Sequence, residues 1–337
     1  MQILKPSGRS VAASPWLALF ALAATVVWPA ADCSAQTTSE LLDPWTTKGF
    51  GETVDRFSYQ AQAAVDGSSA TTQIFAWDSV GRFQLAPDSV LKPHLGYRYL
   101  TLNFDSNAAT LPDTLDELSL AAGVSLGSLG GGKLSAIAGI GYSGDNLFAD
   151  ADGLFGIGHL LWERPLNKTD TLVLSLDYDR SGTLLPDVPL PGFAYRHTDD
   201  ILSWMVGFPR SELLVNLTTG LSLSASYAAP MTADVTLEQQ LGDGLSVFGG
   251  YSNFFNGFFL DGESREDRFF LQMQRVEVGL RYINGDMLGK GLYLDAGLSV
   301  GYVLDQSWSR GFDVRDLENI GSTEATPFVG LVIRGRF

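Results

Sequence analysis

The sequence predicts an all-β protein, namely a transmembrane, antiparallel, up-and-down β-barrel of about 12–14 strands. Stretches of ~10 residues alternate apolar with small or polar side chains along the chain, which is typical of strands with two different faces. Short and long connections alternate between these stretches, as they do between the two rims of a membrane barrel. The chain also ends on an apolar stripe that finishes with an aromatic residue, Phe337.

Composition excludes several other classes. The chain has 337 residues, of which 45% are hydrophobic and 11% aromatic, so intrinsic disorder is disfavoured. The net charge of −16 disfavours nucleic-acid binding through a basic face. Beyond residue 31 no apolar run approaches the ~20 residues that a membrane-spanning helix needs, so a helical bundle is not expected.

Residues 1–35 are expected to be a cleaved signal peptide. A basic start is followed by an apolar stretch, and Cys33-Ser34-Ala35 forms a small-x-small cleavage site. A lipoprotein anchored at Cys33 is the alternative, although Asp32 stands where such a signal has a small residue. Cleavage after Ala35 changes the net charge from −16 to −17 and removes the single cysteine. Stability without disulfides then has to come from a large core or from closure of a sheet.

One barrel domain is predicted over residues 53–337, after a lead-in at 36–52. The segmentation gives fourteen strands, of which 70–85 and 211–228 are the weakest. The predicted strands are 53–66, 70–85, 93–104, 115–127, 132–143, 153–163, 170–180, 197–208, 211–228, 231–241, 244–256, 268–283, 289–304 and 325–337. The link at Ala229-Pro230 is short where the alternation of connections predicts a long loop.

Each strand is predicted to have one face toward lipid and one toward the barrel interior. Val276, Val278 and Leu280, for example, alternate with Arg275 and Glu277. The apolar faces often end in an aromatic residue, as expected at the interface between hydrocarbon and lipid headgroups. These residues are Tyr142, Trp162, Tyr178, Tyr251, Tyr282, Tyr302 and Phe337.

The terminal pattern Val329-x-Leu331-x-Ile333-x-Gly335-x-Phe337 resembles the last strand of Gram-negative outer-membrane β-barrels. The stretch from Leu185-Pro186 to Gly207-Phe208-Pro209 resembles a family of uncharacterised outer-membrane barrels, over most of residues 50–337. The resemblance implies residence in the outer membrane of a Gram-negative bacterium, with outer-membrane lipid around the barrel. It also implies that Phe337 is part of the signal read by the barrel-assembly machinery. It implies no particular activity and no cofactor.

Ten charged residues are the candidates for the lining of the lumen. They are Arg98, Asp177, Asp179, Asp234, Glu238, Arg275, Glu277, Arg281, Asp295 and Arg334, with Arg336 in the same phase. One interpretation is a charged pore that selects small solutes by sign. The other is a network of salt bridges that fills a narrow barrel. A barrel of eight strands has a filled interior, and one of sixteen or more has an open channel. The predicted 12–14 strands lie between these cases, so loops or the lead-in are candidates for a plug.

A passive small-solute channel, or a plugged barrel with a structural role, is the function that these features favour. A barrel hydrolase is the alternative from another class, and its base would be His197 beside Asp199 and Asp200, although no motif supplies a nucleophile. His159 is expected to fill the lumen. Transport of apolar cargo is a third possibility.

Two further clusters have plain structural interpretations. The loop with Asp145, Asn146, Asp150 and Asp152 does not match calcium-loop spacing, so we expect a solvated acidic loop and no metal site. The cluster of Phe254, Phe255, Phe258 and Phe259 is expected to belong to the outer aromatic belt.

Overall fold

The computed structural model describes residues 50–86, 88–285 and 293–337. The predicted signal peptide and nearly all of the lead-in lie outside these residues. The described chain is all-β, apart from one 3₁₀ turn at Ala151–Gly153. No helix within it is long and apolar enough to cross a membrane.

Seventeen strands form a single antiparallel sheet. Their bounds are β1 Gly51–Ala64, β2 Thr71–Gln84, β3 His94–Ser106, β4 Thr114–Leu129, β5 Gly132–Gly144, β6 Leu154–Pro165, β7 Asp170–Asp179, β8 Leu190–Thr198, β9 Leu202–Phe208, β10 Arg210–Thr218, β11 Leu221–Ala228, β12 Thr232–Gly242, β13 Leu245–Phe258, β14 Arg268–Asn284, β15 Tyr293–Gly311, β16 Glu318–Thr323 and β17 Thr326–Arg336.

The sheet closes on itself because β1 pairs with β2 on one side and with β17 on the other. β16 and β17 both pair with β15 and follow each other along it, so they share one position in the wall. The barrel therefore has sixteen strands around its circumference. Closure gives each of these sixteen positions in the wall a neighbour on both sides, and in hydrocarbon an unpaired backbone group would cost several kcal/mol. The predicted fold class, a closed antiparallel barrel, is confirmed.

The barrel has two strands more than the fourteen of the sequence-based segmentation, because two predicted strands each contain a turn and because β8 begins in a stretch predicted to be a connection. The segmentation places residues 181–196 outside the strands, but β8 already starts at Leu190. The segment 197–208 is divided at residues 199–201, where the Asp199 carboxylate accepts hydrogen bonds from the amides of Ile201 and Leu202, both at 2.8 Å. The segment 211–228 is divided at Thr219-Gly220, where Gly220 has a φ of +82°. An Asx turn and a left-handed glycine are local features that an alternation of apolar residues does not reveal.

With the two additional turns included, successive connections alternate between the two ends of the barrel, as expected for an up-and-down barrel. We call the rim with the chain ends the termini rim and the opposite one the loop rim. The connections at 107–113, 145–153, 180–189, 259–267 and 312–317 lie at the loop rim. The short link at residues 229–231 also lies at the loop rim. Pro209 lies there as well, although the segmentation places it at the termini rim. These short links join strands of seven to eleven residues, whereas β14 and β15 have 17 and 19. The wall is therefore low on one side and high on the other.

The outer face of the barrel is apolar. On β15, Leu298 and Val300 are more than half exposed, whereas the neighbouring Asp295 and Ser299 are buried inside. Phe75 and Phe83 both face outward on β2 and are eight residues apart. At ~3.3 Å per residue and a tilt of ~40°, this spacing spans about 20 Å of membrane. An apolar band of this height matches the hydrocarbon region of an outer membrane.

Three of the seven aromatic ends predicted for the lipid interface are exposed, and three more, Trp162, Tyr178 and Tyr251, are half-buried. Tyr282, Tyr302 and Phe337 are 50%, 55% and 41% exposed. Tyr142 is the buried member of the set, because it is only 3% exposed. Its ring packs on Phe148 and its hydroxyl donates to the carbonyl of Asn146 at 2.8 Å, so the loop after β5 folds over it. The interface prediction is wrong for this residue.

The lipid-facing position of Leu298 can be tested by its depth in the membrane. Leu298→Arg is expected to cost about 2–4 kcal/mol of unfolding free energy, because the charge would enter the middle of the apolar band. Leu294→Arg, on the same face near the termini rim, should cost only about 0–1 kcal/mol. Reversible denaturation in phospholipid vesicles measures both values. Equal costs at the two positions would contradict the assigned membrane depth.

Candidate functional site

The lumen near the loop rim is filled by the end of the β13–β14 hairpin. We call residues 254–271 the hairpin tip. Its inward face carries Phe258, Phe269 and Leu271, which are fully buried. These residues pack across the lumen against the opposite wall, formed by β2, β3 and β4. The partners in this core include Ile74, Leu100, Leu102, Phe104, Leu115, Met273 and Trp308.

The phenylalanine cluster is therefore not part of the outer aromatic belt. Phe255, Phe258 and Phe259 are at most 6% exposed, and Phe254 packs against the same core. The sequence pattern could not distinguish these positions, because an aromatic at a rim can face lipid or fold inward. The long strands β14 and β15 rise above the membrane band and allow the hairpin to bend over the lumen.

Arg268 fastens the other face of the hairpin tip. Its guanidinium is fully buried and donates to the carbonyls of Ser181 at 2.7 Å, Gly182 at 2.9 Å and Gly257 at 3.2 Å. The same group lies over the rings of Phe259 and Phe270, 4.7 and 5.0 Å from their centroids. A cation stacked on two rings and bonded to three carbonyls ties the tip to the loop at 180–189.

A polar chain links the hairpin tip to the opposite wall. Asn256 donates to Glu117 at 2.8 Å, and Glu117 is 3.6 Å from Arg98. Arg98 is in turn 3.2 Å from Asp78, which pairs with Arg56 at 3.1 Å. Arg98 and Glu117 are almost completely buried. Buried charges are tolerated when they are paired and hydrogen-bonded in this way, and the chain therefore holds the tip in position.

A second loop contact covers the same mouth. The buried carboxylate of Asp313 accepts from the Leu185 amide at 3.3 Å, and the Val314 amide donates to the Thr183 carbonyl at 3.0 Å. The hydrogen bonds from Arg315 are the main reason that the pKa of Asp313 lies below its ordinary value. Asp313 therefore stays ionised near neutral pH and keeps the two loops joined.

Below the hairpin tip lies a cavity of about 280 Å³. It is bounded by the inner faces of β1–β3 and of β12–β15 and β17. Seven of the ten predicted lumen residues line it: Asp234, Glu238, Arg275, Glu277, Arg281, Asp295 and Arg334. Apolar residues, among them Leu100, Leu102, Phe254 and Met273, line its upper part next to the tip.

Most charged groups around the cavity belong to ion pairs between neighbouring strands. Arg281 contacts Glu238 and Asp295, each at 2.8 Å. At the termini rim, Glu52 pairs with Arg82 and lies 3.5 Å from Arg336. Both interpretations of the charged interior therefore apply to parts of it: paired charges along the walls, and an unfilled space between them.

The remaining three candidates lie elsewhere in the interior. Arg98 belongs to the polar chain below the tip. Asp177 is 2.5 Å from Nδ1 of His159 and accepts from the Ser175 hydroxyl at 2.5 Å. Asp179 ends β7 and accepts from the Ser181 amide at 2.9 Å, which shapes the turn into the loop at 180–189.

The histidine predicted for a hydrolase is held by carboxylates on both sides. Nδ1 of His197 is 2.7 Å from Asp170, and Nε2 is 3.3 Å from Asp199. Neither nitrogen contacts a hydroxyl of the described chain. At His159 the serine bonds to the aspartate and not to the ring, so no nucleophile–base pair forms there.

The acidic loop after β5 uses its carboxylate oxygens as acceptors for backbone amides. Asp145 accepts from the Asp261 amide at 2.8 Å, and Asp150 accepts from the Asp152 amide at 3.0 Å. Within the described ranges, no group of three or more His, Cys, Asp or Glu side chains could hold a metal ion.

Sequence reasoning missed several residues of the interior. Arg56, Asp78, Glu117, Asn256 and Arg268 were not among the candidates. The alternation along β1 could have indicated Arg56, because it is in phase with Ser58 and Gln60 and out of phase with Phe57 and Tyr59. Nothing local indicates Arg268, because its role depends on a loop 86 residues away in sequence.

Comparison with known proteins gives only distant similarities. No protein-family model matches the chain, and no curated protein matches it significantly. An outer membrane channel from Pseudomonas putida F1 is 12% identical, with 88% of this chain and 100% of that chain covered and a TM-score of 0.33. OccK7 from Pseudomonas aeruginosa is 12% identical, with 84% and 98% covered and a TM-score of 0.28. The outer membrane protease OmpT from Escherichia coli is 7% identical, with 87% and 99% covered and a TM-score of 0.23. Similarities this weak support no conclusion about activity.

The role of Arg268 predicts a specific loss of local stability. Arg268→Met should cost about 2–4 kcal/mol at the hairpin tip, because three buried carbonyls lose a charged donor. Hydrogen exchange of residues 181–185 and 254–271 measures this loss. Arg265→Met is the matched control, since Arg265 also lies over Phe259 but is more exposed. Equal exchange in the two variants would show that Arg268 does not fasten the tip.

Proposed function

We propose that the protein is a porin-like channel for small solutes in the outer membrane of a Gram-negative bacterium. The observation that carries this proposal is a charged cavity inside a closed sixteen-stranded barrel with an apolar outer face. A barrel of this size has room for an aqueous passage. Charged side chains of both signs along such a passage select small polar solutes over apolar ones.

The proposed passage is narrow and can close. The hairpin tip fills the lumen near the loop rim, and the cavity lies between the tip and the termini rim. Passage of a solute therefore requires the tip to move away from the opposite wall. The contacts of Arg268 with Ser181 and Gly182, and of Asn256 with Glu117, are the ones that this movement would break. A filled mouth above an unfilled charged cavity favours a gated channel over a permanently open pore.

Conductance in planar lipid bilayers tests the channel directly. The full chain should show small or infrequent current steps, and a variant with residues 256–269 replaced by a short Gly-Ser turn should show steps several-fold larger. The physical reason is that this deletion removes the core that spans the mouth. Heat-modifiable migration on gels identifies the folded barrel in both preparations. Absence of current from a folded deletion variant would reject the channel.

Export and assembly are part of the same proposal. Residues 1–35 would direct export and be removed, and Phe337 would be read by the barrel-assembly machinery. Supporting this, Phe337 lies at the closing seam, where its amide donates to the carbonyl of Gly51 at 3.0 Å and its ring remains exposed. An exposed terminal ring is accessible to a partner before the barrel closes.

Deletion of Phe337 should lower the amount of protein in the outer-membrane fraction several-fold. Phe337→Tyr, which keeps the ring, should be assembled normally. Membrane fractionation gives these amounts, and N-terminal sequencing of the mature protein should begin at Gln36. Normal assembly without any terminal aromatic residue would argue against the signal at Phe337.

A further inference from the structure

We infer that the lumen cavity is a binding site for an α-amino acid with an apolar side chain, held by Arg275, Glu277 and the apolar end of the cavity. This inference rests on the proposed channel and names the class of solute that the passage would accept. The inference rests on three inward-facing residues of β14. Met273, Arg275 and Glu277 follow one another toward the termini rim and place an apolar group, a cation and an anion side by side.

Arg275 supplies the carboxylate site. Its guanidinium lines the cavity and lies 5.1 Å over the ring of Phe328. Its hydrogen-bond acceptors, the Ser58 hydroxyl and the Met273 sulfur, are both neutral and both at 3.4 Å. Within the described chain no carboxylate is within 4 Å of it, and its buried Nε has no hydrogen-bond partner. A guanidinium presents a fork of donors that matches a carboxylate, and leaving such a donor unpaired away from water is unfavourable.

Glu277 supplies the ammonium site. It lies on the same face of β14, two residues and about 6.6 Å along the strand from Arg275, and it also lines the cavity. No hydrogen bond or ion pair joins its carboxylate to the described residues, in contrast to Glu238 and Asp295 nearby. Its strand neighbours Gly250 and Gly301 carry no side chains, so no side chain fills the space at Gly250, while the Phe328 ring lies against Gly301. A ligand can therefore approach both charges at once.

The apolar part of the site lies above Arg275. Met273 is two residues closer to the hairpin tip and is buried against Leu100 and Leu102. These side chains and Phe254 line the upper cavity. A ligand with its carboxylate at Arg275 and its ammonium toward Glu277 would direct a side chain into this apolar end. A simple carboxylate would use Arg275 but leave Glu277 unpaired.

The size of the cavity limits the ligand. Sites for drug-sized molecules measure ~300–1,000 Å³, and this cavity is about 280 Å³. A single amino acid such as leucine or phenylalanine is small enough, whereas a longer peptide is not. The neutral overall charge of an amino acid also suits a wall on which Arg275 and Glu277 balance each other.

Calorimetry on the full chain in detergent tests the inference with three related compounds. L-phenylalanine carries both charges, 3-phenylpropionate lacks the ammonium group, and phenethylamine lacks the carboxylate. We expect phenylalanine to bind about tenfold or more tightly than either analogue, because only it presents a group of opposite charge to both Arg275 and Glu277. Equal affinities for the three compounds, or no binding of phenylalanine, would overturn the site.

Two substitutions assign the two charges. Arg275→Gln should weaken phenylalanine binding about tenfold or more and leave phenethylamine unaffected. Glu277→Gln should weaken phenylalanine similarly and leave 3-phenylpropionate unaffected or tighter. Arg180→Gln and Glu266→Gln, in loops outside the cavity, make the same chemical changes and should bind as the unmodified chain does. If Arg275→Gln does not fold, Arg275→Lys keeps the charge without the fork and should still weaken binding.

The outcomes separate this inference from the proposed channel. Conductance without selective amino-acid binding would remove the site and leave the channel intact. Selective binding without conductance, even after removal of the hairpin tip, would leave the site and remove the channel. Unchanged phenylalanine affinity in the Arg275→Gln and Glu277→Gln variants would show that binding occurs elsewhere.

Discussion

Closure of the sheet is the constraint on which the rest of the structure depends. In hydrocarbon each unpaired backbone group costs several kcal/mol, so a sheet with open edges could not be stable there. Strand β17 removes the last edge by pairing with β1 from Phe328 to Arg336. The amides and carbonyls of Gly51 and Phe337 exchange hydrogen bonds at the end of this seam. Because the wall is closed, its alternate side chains must face either lipid or the lumen.

The content of the lumen follows from the unequal heights of the wall. Sixteen strands enclose more space than inward side chains alone can fill. The long strands β13, β14 and β15 rise above the membrane band, and their ends fold back over the opening. The resulting core of Phe258, Phe269 and their partners buries apolar surface that would otherwise face water. Stability and occlusion of the passage therefore have the same physical origin.

The charged residues of the lumen are mostly arranged in pairs of opposite sign. A charged group in a confined interior is stable when a partner of opposite sign lies on the next strand, as for Arg281 with Asp295. The chain Arg56–Asp78–Arg98–Glu117 extends this pairing across three neighbouring strand pairs. Arg275 and Glu277 depart from the pattern within the described chain, and they do so where unfilled space remains. This departure marks the place in the lumen with the greatest capacity to bind a small polar solute.

The sequence by itself determined the fold class, the two faces of most strands and the inward phase of residues such as Arg275 and Arg281, because a strand repeats every two residues. It did not reveal the turns at 199–201 and 219–220, which depend on a few hydrogen bonds and one glycine conformation. Only the tertiary structure decided which interior charges pair, which way the cluster at Phe254–Phe259 faces, and whether the mouth is filled. Those outcomes depend on contacts between segments far apart in the chain, such as Arg268 with Ser181, and periodicity along one strand contains no information about them.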